Sequence, residues 1–432
     1  MMHMQATNTK FKETEIGLIP EEWGVLRVGD IGRVITGKTP PTKHAEYFGG
    51  EYPFVKIPDM AGSMYIRNSE SMLSQEGADY LGKTKLPKDS IMVSCIATVG
   101  NVGITTRDSF TNQQINSVIP NKDIIDPRYL YYFFTGNKEY LTSLGGGGSV
   151  YTNISKSKFE NMAVAVPELA EQNVISDILS SLDYKIELNR QMNANLEKMA
   201  SALFKRWFVD FEFPDENGRP YRSSGGKMAE SEMGEIPEGW RVAPFYDAVE
   251  IIGGGTPKTT KSDYWEGNIP WFSVVDAPNE LDVFVVDTEN KITDAGIENS
   301  AARIMEEGTT IITARGTVGK IALVGVPMAM NQSCYGLRGK FDRRGFYTYF
   351  YTKALITSLQ NSAHGSVFDT ITRETFMSVD LVMPKVDIIT AFEEKVSSTL
   401  GSIKNNLFET RTLSQLRDAL LPRLMSGKIR TI

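Results

Sequence analysis

Two short stretches of this chain combine basic, hydroxyl and aromatic side chains in a way that could do chemistry. Lys38, Thr39, Thr42 and Lys43 precede Tyr47-Phe48, and Lys258, Thr259, Thr260 and Lys261 precede Tyr264-Trp265. Lys, Arg and Thr groups of this kind contact phosphate oxygens. Asn112, Gln113 and Gln114, with Asn331 and Gln332, add amides that can form paired hydrogen bonds with adenine, and Arg315 could fork onto guanine. Ser94 and Lys320 stand in the same kind of turn as Arg315. Around them Arg303, Arg315, Lys320, Arg338, Lys340, Arg343, Arg344 and Lys353 face only Glu306, Glu307 and Asp342, a local positive excess. The same residue types also fill ordinary solvated loops, and Asn-Gln would recur equally well as a turn cap. Both readings stand on composition alone.

Catalytic constellations are missing. There is no HExxH, no Gly-x-Ser-x-Gly and no Cys/His pair at useful spacing, and the only histidines are His3, His44 and His364. Arg315-Gly316-Thr317-Val318-Gly319-Lys320-Ile321 lacks both the first glycine and the final Ser/Thr of a phosphate loop. Gly145–Gly148 reads as a loop turn, and the pairs Glu306-Glu307 and Glu393-Glu394 read as solvated turn or helix surface. No strand–glycine turn with an Asn/Asp-Pro-Pro-aromatic loop signals an S-adenosylmethionine site. Two cysteines, Cys95 and Cys334, make neither a disulfide framework nor a metal cluster. No metal ligand set is expected.

The 432 residues are 41% hydrophobic and 23% charged, enough to bury a sizeable core. The formal charge of −7 excludes a protein that coats nucleic acid by bulk charge, though not a basic patch on an acidic body. No apolar run approaches the ~18 residues of a membrane span, and the start lacks the apolar core of a signal peptide. A cytoplasmic protein with no membrane contact is expected.

The positioning elements emerge from an internal repeat. Glu15-Ile16-Gly17-Leu18-Ile19-Pro20-Glu21-Glu22-Trp23 returns 217 residues later as Glu232-Met233-Gly234-Glu235-Ile236-Pro237-Glu238-Gly239-Trp240. Thr39-Pro40 meets Thr256-Pro257 at that offset, and Asn112-Gln113 meets Asn331-Gln332 after a slip of two. Gly148-Ser149-Val150 and Gly365-Ser366-Val367 restore the first register. Each copy opens with short apolar runs, such as 90–96 and 309–314, between Gly/Pro/Asn turns, broken by helical stretches at 127–140 and 345–359. Each copy then changes period. Ile175, Leu179, Leu182, Ile186, Asn189, Asn193, Leu196, Ala200 and Leu203 form a heptad seam. Its counterpart is Phe392, Val396, Thr399, Ile403, Asn406, Thr410, Leu413, Arg417 and Leu420, with Leu400, Leu407 and Leu416 beside it. Asn189 and Asn406 occupy equivalent seam positions, where a buried Asn fixes register. A linker rich in Pro, Gly and Ser over 211–231 gives slack for the helices to pair antiparallel. Two amphipathic helices lying on their own domains would be the alternative.

The expected fold is therefore α+β. Two tandem-repeated globular domains, 15–167 and 232–384, alternate with two long coiled-coil helices, 168–210 and 385–425, in a pseudo-two-fold layout. Residues 1–14 and 426–432 are expected as tails.

The ordered set of motifs resembles the DNA-specificity subunits of type I restriction–modification systems. Its carriers are the Ile19–Trp23 and Ile236–Trp240 segments and the Gly37–Pro40 and Gly254–Pro257 turns. The helix opening Val166-Pro167-Glu168-Leu169-Ala170-Glu171-Gln172 and the stretch Trp207–Pro214 through Gly226 complete the set. The second helix opening departs, as Pro384-Lys385-Val386-Asp387. The resemblance implies a non-catalytic subunit whose two target-recognition domains read the halves of a bipartite, asymmetric site on double-stranded DNA. It implies two modification (methyltransferase) subunits carrying S-adenosylmethionine, docked on the helices, and restriction subunits using ATP and Mg²⁺. A scaffold that binds only protein would keep the repeat and the helices without needing polar loops.

Overall fold

The computed structural model describes residues 9–145, 153–278, 282–363 and 370–431. His3, His364, Gly146–Gly148 and the first eight residues of the expected N-terminal tail lie outside them. The chain divides into two units: residues 1–187 with 411–432, and residues 188–410.

In the first unit the Ile91–Ser94 run is wholly buried and becomes the middle strand of a five-stranded sheet. The order is Gly32–Thr36, Ile115–Pro120, Ile91–Ser94, Val102–Thr105 and Tyr65–Ile66. The first four are antiparallel neighbours, and the last joins in parallel. Phe48–Val55 centres a second sheet between Phe110–Thr111 and Ser71–Leu73. Gly24–Arg27 pairs with Ala163–Val166, so a strand near the start of the domain closes on its last one. Helix Pro127–Gly136 starts where Asp126 accepts the Tyr129 N–H and Pro127 pre-sets the first turn. It covers the sheet with Tyr129, Leu130, Phe133 and Phe134.

The second unit repeats this. Val249–Gly253, Cys334–Gly339, Thr310–Thr313, Ile321–Val324 and Phe284–Val285 form its large sheet. Trp265–Phe272 centres its small one, and Arg241–Pro244 pairs with Asp380–Met383. Helix Phe346–Ala363 takes the covering role. Glu393, expected on a solvated surface, is buried at 4% exposure: its carboxylate accepts the N–H groups of Arg343, Arg344 and Phe346. The helix start, with its unpaired donors and positive dipole end, draws the carboxylate in.

The change of period yields helices Leu169–Phe204 and Val386–Met425. Both units show them antiparallel. In the first, Ile175 and Leu179 share a core with Leu421, Leu424 and Met425, and Arg417 donates to Asp183 at 2.7 Å. In the second, Ala200 and Phe204 pack with Phe392, Val396, Leu400 and Ile403. Asn406 donates to Asn193 at 2.9 Å, and Asn189 donates to Glu409 at 2.8 Å. Ile186 and Asn189 are buried; Leu182, Leu196, Leu203, Asn406, Leu413 and Leu420 are half-buried. The first helix ends in a π turn, Lys205–Val209, which buries Trp207 and Phe208.

The 211–231 segment is packed rather than slack. Phe211 and Phe213 are buried, and the Phe213 ring stacks on Tyr221 at 4.6 Å and on Trp240 at 5.1 Å. The described parts of the segments expected as tails, 9–14 and 426–431, are also built in. Phe11–Thr14 forms a hairpin with Gly17–Pro20. Arg430 pairs with Glu22 and, at 2.8 Å, with Glu171, whose other oxygen accepts the Trp23 indole N–H at 3.0 Å.

Candidate nucleic-acid interface at one end of each large sheet

The antiparallel order brings three connections together at one end of each five-stranded sheet. In the first unit Gly32–Thr36 and Ile91–Ser94 end there, while Ile115–Pro120 and Val102–Thr105 begin there. The loops after Thr36, after Ser94 and before Ile115 therefore adjoin. Lys38 N–H donates to the Thr111 carbonyl at 2.9 Å, Thr39 donates to the Gln113 side chain at 2.6 Å, and Cys95 N–H donates to the Gln114 carbonyl at 2.9 Å. The second unit repeats these ties: Gly255 to Met330, Thr256 to the Gln332 side chain, and Ala314 to Ser333. The approach is close enough that a Cβ on Gly37 would strike the Asn112 carbonyl, and one on Gly254 the Asn331 carbonyl. That is the physical reason for glycine in both Gly-x-Thr-Pro turns.

Topology thus gathers residues from three distant stretches in each unit. Lys38, Lys43 and Gln113 are exposed in the first, with Thr39 half-buried; Lys258, Thr259, Thr260, Lys261, Arg315, Lys320 and Gln332 are exposed in the second. Three expected readers are instead turn braces. Ser94 is fully buried; its hydroxyl donates to the Thr98 carbonyl and accepts the Asn101 N–H. Thr313 does the same with Thr317 and Lys320. Asn112 accepts the Gln114 N–H and Asn331 the Ser333 N–H, both Asx-type turns. The Ser94 and Thr313 hydroxyls and the side-chain oxygens of Asn112 and Asn331 are engaged by turn backbone. The Asn112 amide nitrogen donates to the Gln114 side chain at 3.0 Å, so these residues shape the loops.

The basic cluster expected in the second copy is dispersed. Lys353 pairs with the buried Glu197 at 2.5 Å, Arg338 lies near Glu250 and Glu306, and Lys340 donates to the Asp247 carbonyl. Of that set Arg315 and Lys320 occupy the sheet end. In the matching turn of the first unit Arg315's counterpart is Ile96, half-buried and bridged to Asn153.

The sequence reading missed an aromatic feature. His44, Tyr47 and Tyr80 stack in the first unit, with centroids 5.0 and 5.1 Å apart and planes 24° apart at both contacts. The Lys38 ammonium lies 5.4 Å from the Tyr80 centroid. Only the Lys38–Tyr47 stretch was visible as a local pattern; Tyr80 arrives from a helix more than thirty residues later.

Burial pushes the Cys95 thiol up to about 11 and the Cys334 thiol up to about 12, so both stay protonated at neutral pH. Among the described residues no group of three or more His, Cys, Asp or Glu could hold a metal. Among them, too, no helix is long and apolar enough to cross a membrane.

Comparison with known proteins agrees with the duplication. The profile described as "Type I restriction modification DNA specificity domain" matches residues 20–198 and again 237–415. The chain is 28% identical over 430 residues to the type I restriction enzyme MjaIX specificity subunit of Methanocaldococcus jannaschii, covering 98% of this chain and 97% of that protein. It is 23% identical to the HindI specificity subunit of Haemophilus influenzae, covering 94% and 100%. The crystal structure of a type I restriction–modification S subunit from M. genitalium shares the fold, with a TM-score of 0.59 at 14% identity over 97% of this chain and 99% of that one.

Proposed function

The chain belongs to the type I restriction modification DNA-specificity family, and from that premise we propose that it reads DNA at the loop-bearing end of each large sheet. It is a non-catalytic specificity subunit. The target-recognition domains, 15–167 and 232–384, each take one half of a bipartite, asymmetric site on double-stranded DNA. Lys38, Lys43, Lys258, Lys261 and Lys320, with Thr259 and Thr260, serve phosphate contact; Gln113, Gln332 and Arg315 serve base edges. One observation carries the reading: in both units the fold brings the Gly-x-Thr-Pro turn, the loop after the middle strand and the loop holding Gln113 or Gln332 to the same end of the sheet. The acidic net charge is consistent with partners sharing the grip on the DNA backbone.

The partners are two modification (methyltransferase) subunits, which bring S-adenosylmethionine, and restriction subunits, which use ATP and Mg²⁺, in the cytoplasm. The first long helix leaves Leu188, Met192 and Met199 exposed within the second unit. Apolar side chains at helical spacing facing water suit a docking face. The test is a gel shift of the chain with its modification subunits on DNA carrying a mapped methylation site, against competitor DNA. Retention on the specific duplex alone is expected. Binding of the modification subunits with no sequence preference on DNA would leave a protein scaffold instead.

A further inference from the structure

We propose that the His44–Tyr47–Tyr80 stack, with Lys38 at its end, reads a base of the first domain's half-site through aromatic contact. The proposal rests on the sheet end being the DNA interface. The second unit supplies an internal control for why the rings are there. In both units the same corner is built by the same bonds: Ser74 N–H donates to the Tyr47 carbonyl as Thr293 N–H does to that of Tyr264. Ser74 accepts from Gly77 as Thr293 accepts from Gly296. The turn before the ring also recurs, with Tyr47 N–H donating to His44 and Tyr264 N–H to Lys261.

On this shared frame the first unit carries His44 and Tyr80 where the second carries Lys261 and the exposed Asn299. The corner therefore folds without the stack, and the two extra rings are surplus to folding. They are also costly to expose: Tyr80 is 46% exposed. Among the described residues neither the Tyr47 nor the Tyr80 hydroxyl has a hydrogen-bond partner, so both tips are open to a ligand. Ser74 and Gly77 lock the Tyr47 carbonyl against the helix bearing Tyr80, so the surface is pre-organised and loses little freedom on binding. Lys38, Thr39 and Gln113 adjoin it. In a duplex the base faces are already stacked on one another, so an aromatic surface beside a cation is suited to a thymine methyl or a base edge in the groove, flanked by phosphate.

The test uses the full chain assembled with its modification subunits. Tyr80→Asn installs the side chain that the second unit carries, and Tyr80→Phe keeps the ring. DNA affinity is measured across a salt series, alongside the methylated-site map. Tyr80→Asn is expected to weaken specific binding on the order of tenfold. The slope against salt should stay unchanged, and one position of one half-site should relax, with Tyr80→Phe restoring most of the loss. Lys38→Ala should instead make the slope shallower by about one. The proposal is overturned if Tyr80→Asn melts like the wild type and leaves affinity and site map alone. It is equally overturned if binding weakens for all sequences alike, which is sugar contact without reading. If the wild-type complex itself shows no sequence preference, the DNA-reading proposal fails first, and the two failures are told apart.

Discussion

Arg315 and Ile96 occupy the same turn of the two units, one exposed and cationic, the other apolar and bridged to Asn153. Arg315→Ala should cost about 1–3 kcal/mol of specific binding and relax one base position in one half-site. Uniform weakening on all sequences, with a shallower salt slope, would make Arg315 a phosphate contact only. Asp342 behaves differently because it is enclosed. Burial pushes its carboxyl up to about 6, with the nearby Glu393 charge adding and the Thr348 N–H opposing. The folded state then holds a proton that the unfolded chain has lost between about pH 4 and 6. The Asp342 contribution to stability therefore falls as pH rises through that window and is lowest above it. Asp342→Asn, which can still accept the Thr348 N–H, should stabilise the protein at pH 7 by on the order of 2–3 kcal/mol relative to its effect at pH 4. Thermal melts of both proteins at several pH values check this; a pH-independent difference contradicts it. Residue types told which groups could touch DNA. They did not tell that the Ser94 hydroxyl and the Asn112 side-chain oxygen would be taken up by turn backbone, because a hydroxyl or amide suits both tasks and only the fold decides.

Among the elements, the long helices were the most legible, since their 4,3 spacing needs no tertiary information. Their phase was less so. The heptad seam ends on Leu420, yet Leu421 and Leu424 are the buried residues, at 8% and 1% exposure, while Leu420 is half-buried. A straight helix drifts by roughly 20° per heptad, so the buried stripe slides off a strict seven-residue pattern. Leu400 and Leu416 both flank the seam in sequence, but they are 0% and 47% exposed. Leu400→Ala should thus cost about 2–5 kcal/mol, and Leu416→Ala within about 0.5 kcal/mol, in chemical denaturation. Equal losses would mean that the helix faces are misassigned. The strands were visible as apolar runs. Their order was not, because neighbours such as Gly32–Thr36 and Ile115–Pro120 are joined only by long-range pairing.

At the scale of the whole molecule, the repeat announced two domains, and the modular reading makes each exchangeable. Replacing 232–384 by the same domain of a relative should change one half-site and leave the other, as read by methylation mapping; a change in both, or in neither, sinks modularity. The chain passes between the units only within the long helices, at 187/188 and 410/411. Adding four residues to both helices there should alter the spacer between half-sites without altering either. What the repeat did not reveal is which copy owns the stretch after residue 410. Arg430, with its side chain 7% exposed, seals Glu171 and Glu22 of the first unit, and Leu421, Leu424 and Met425 complete the core around Ile175 and Leu179. This has a consequence for birth order on the ribosome. The second unit is one continuous stretch and is complete once residue 410 has emerged. The first has waited through all of it, on the order of tens of seconds at ordinary elongation rates, with a greasy helix face still bare. The domain written first is finished last. Chains arrested at residue 300 should show protease cuts around Ile175–Leu179 that vanish on release of the full chain; protection before release would refute this order.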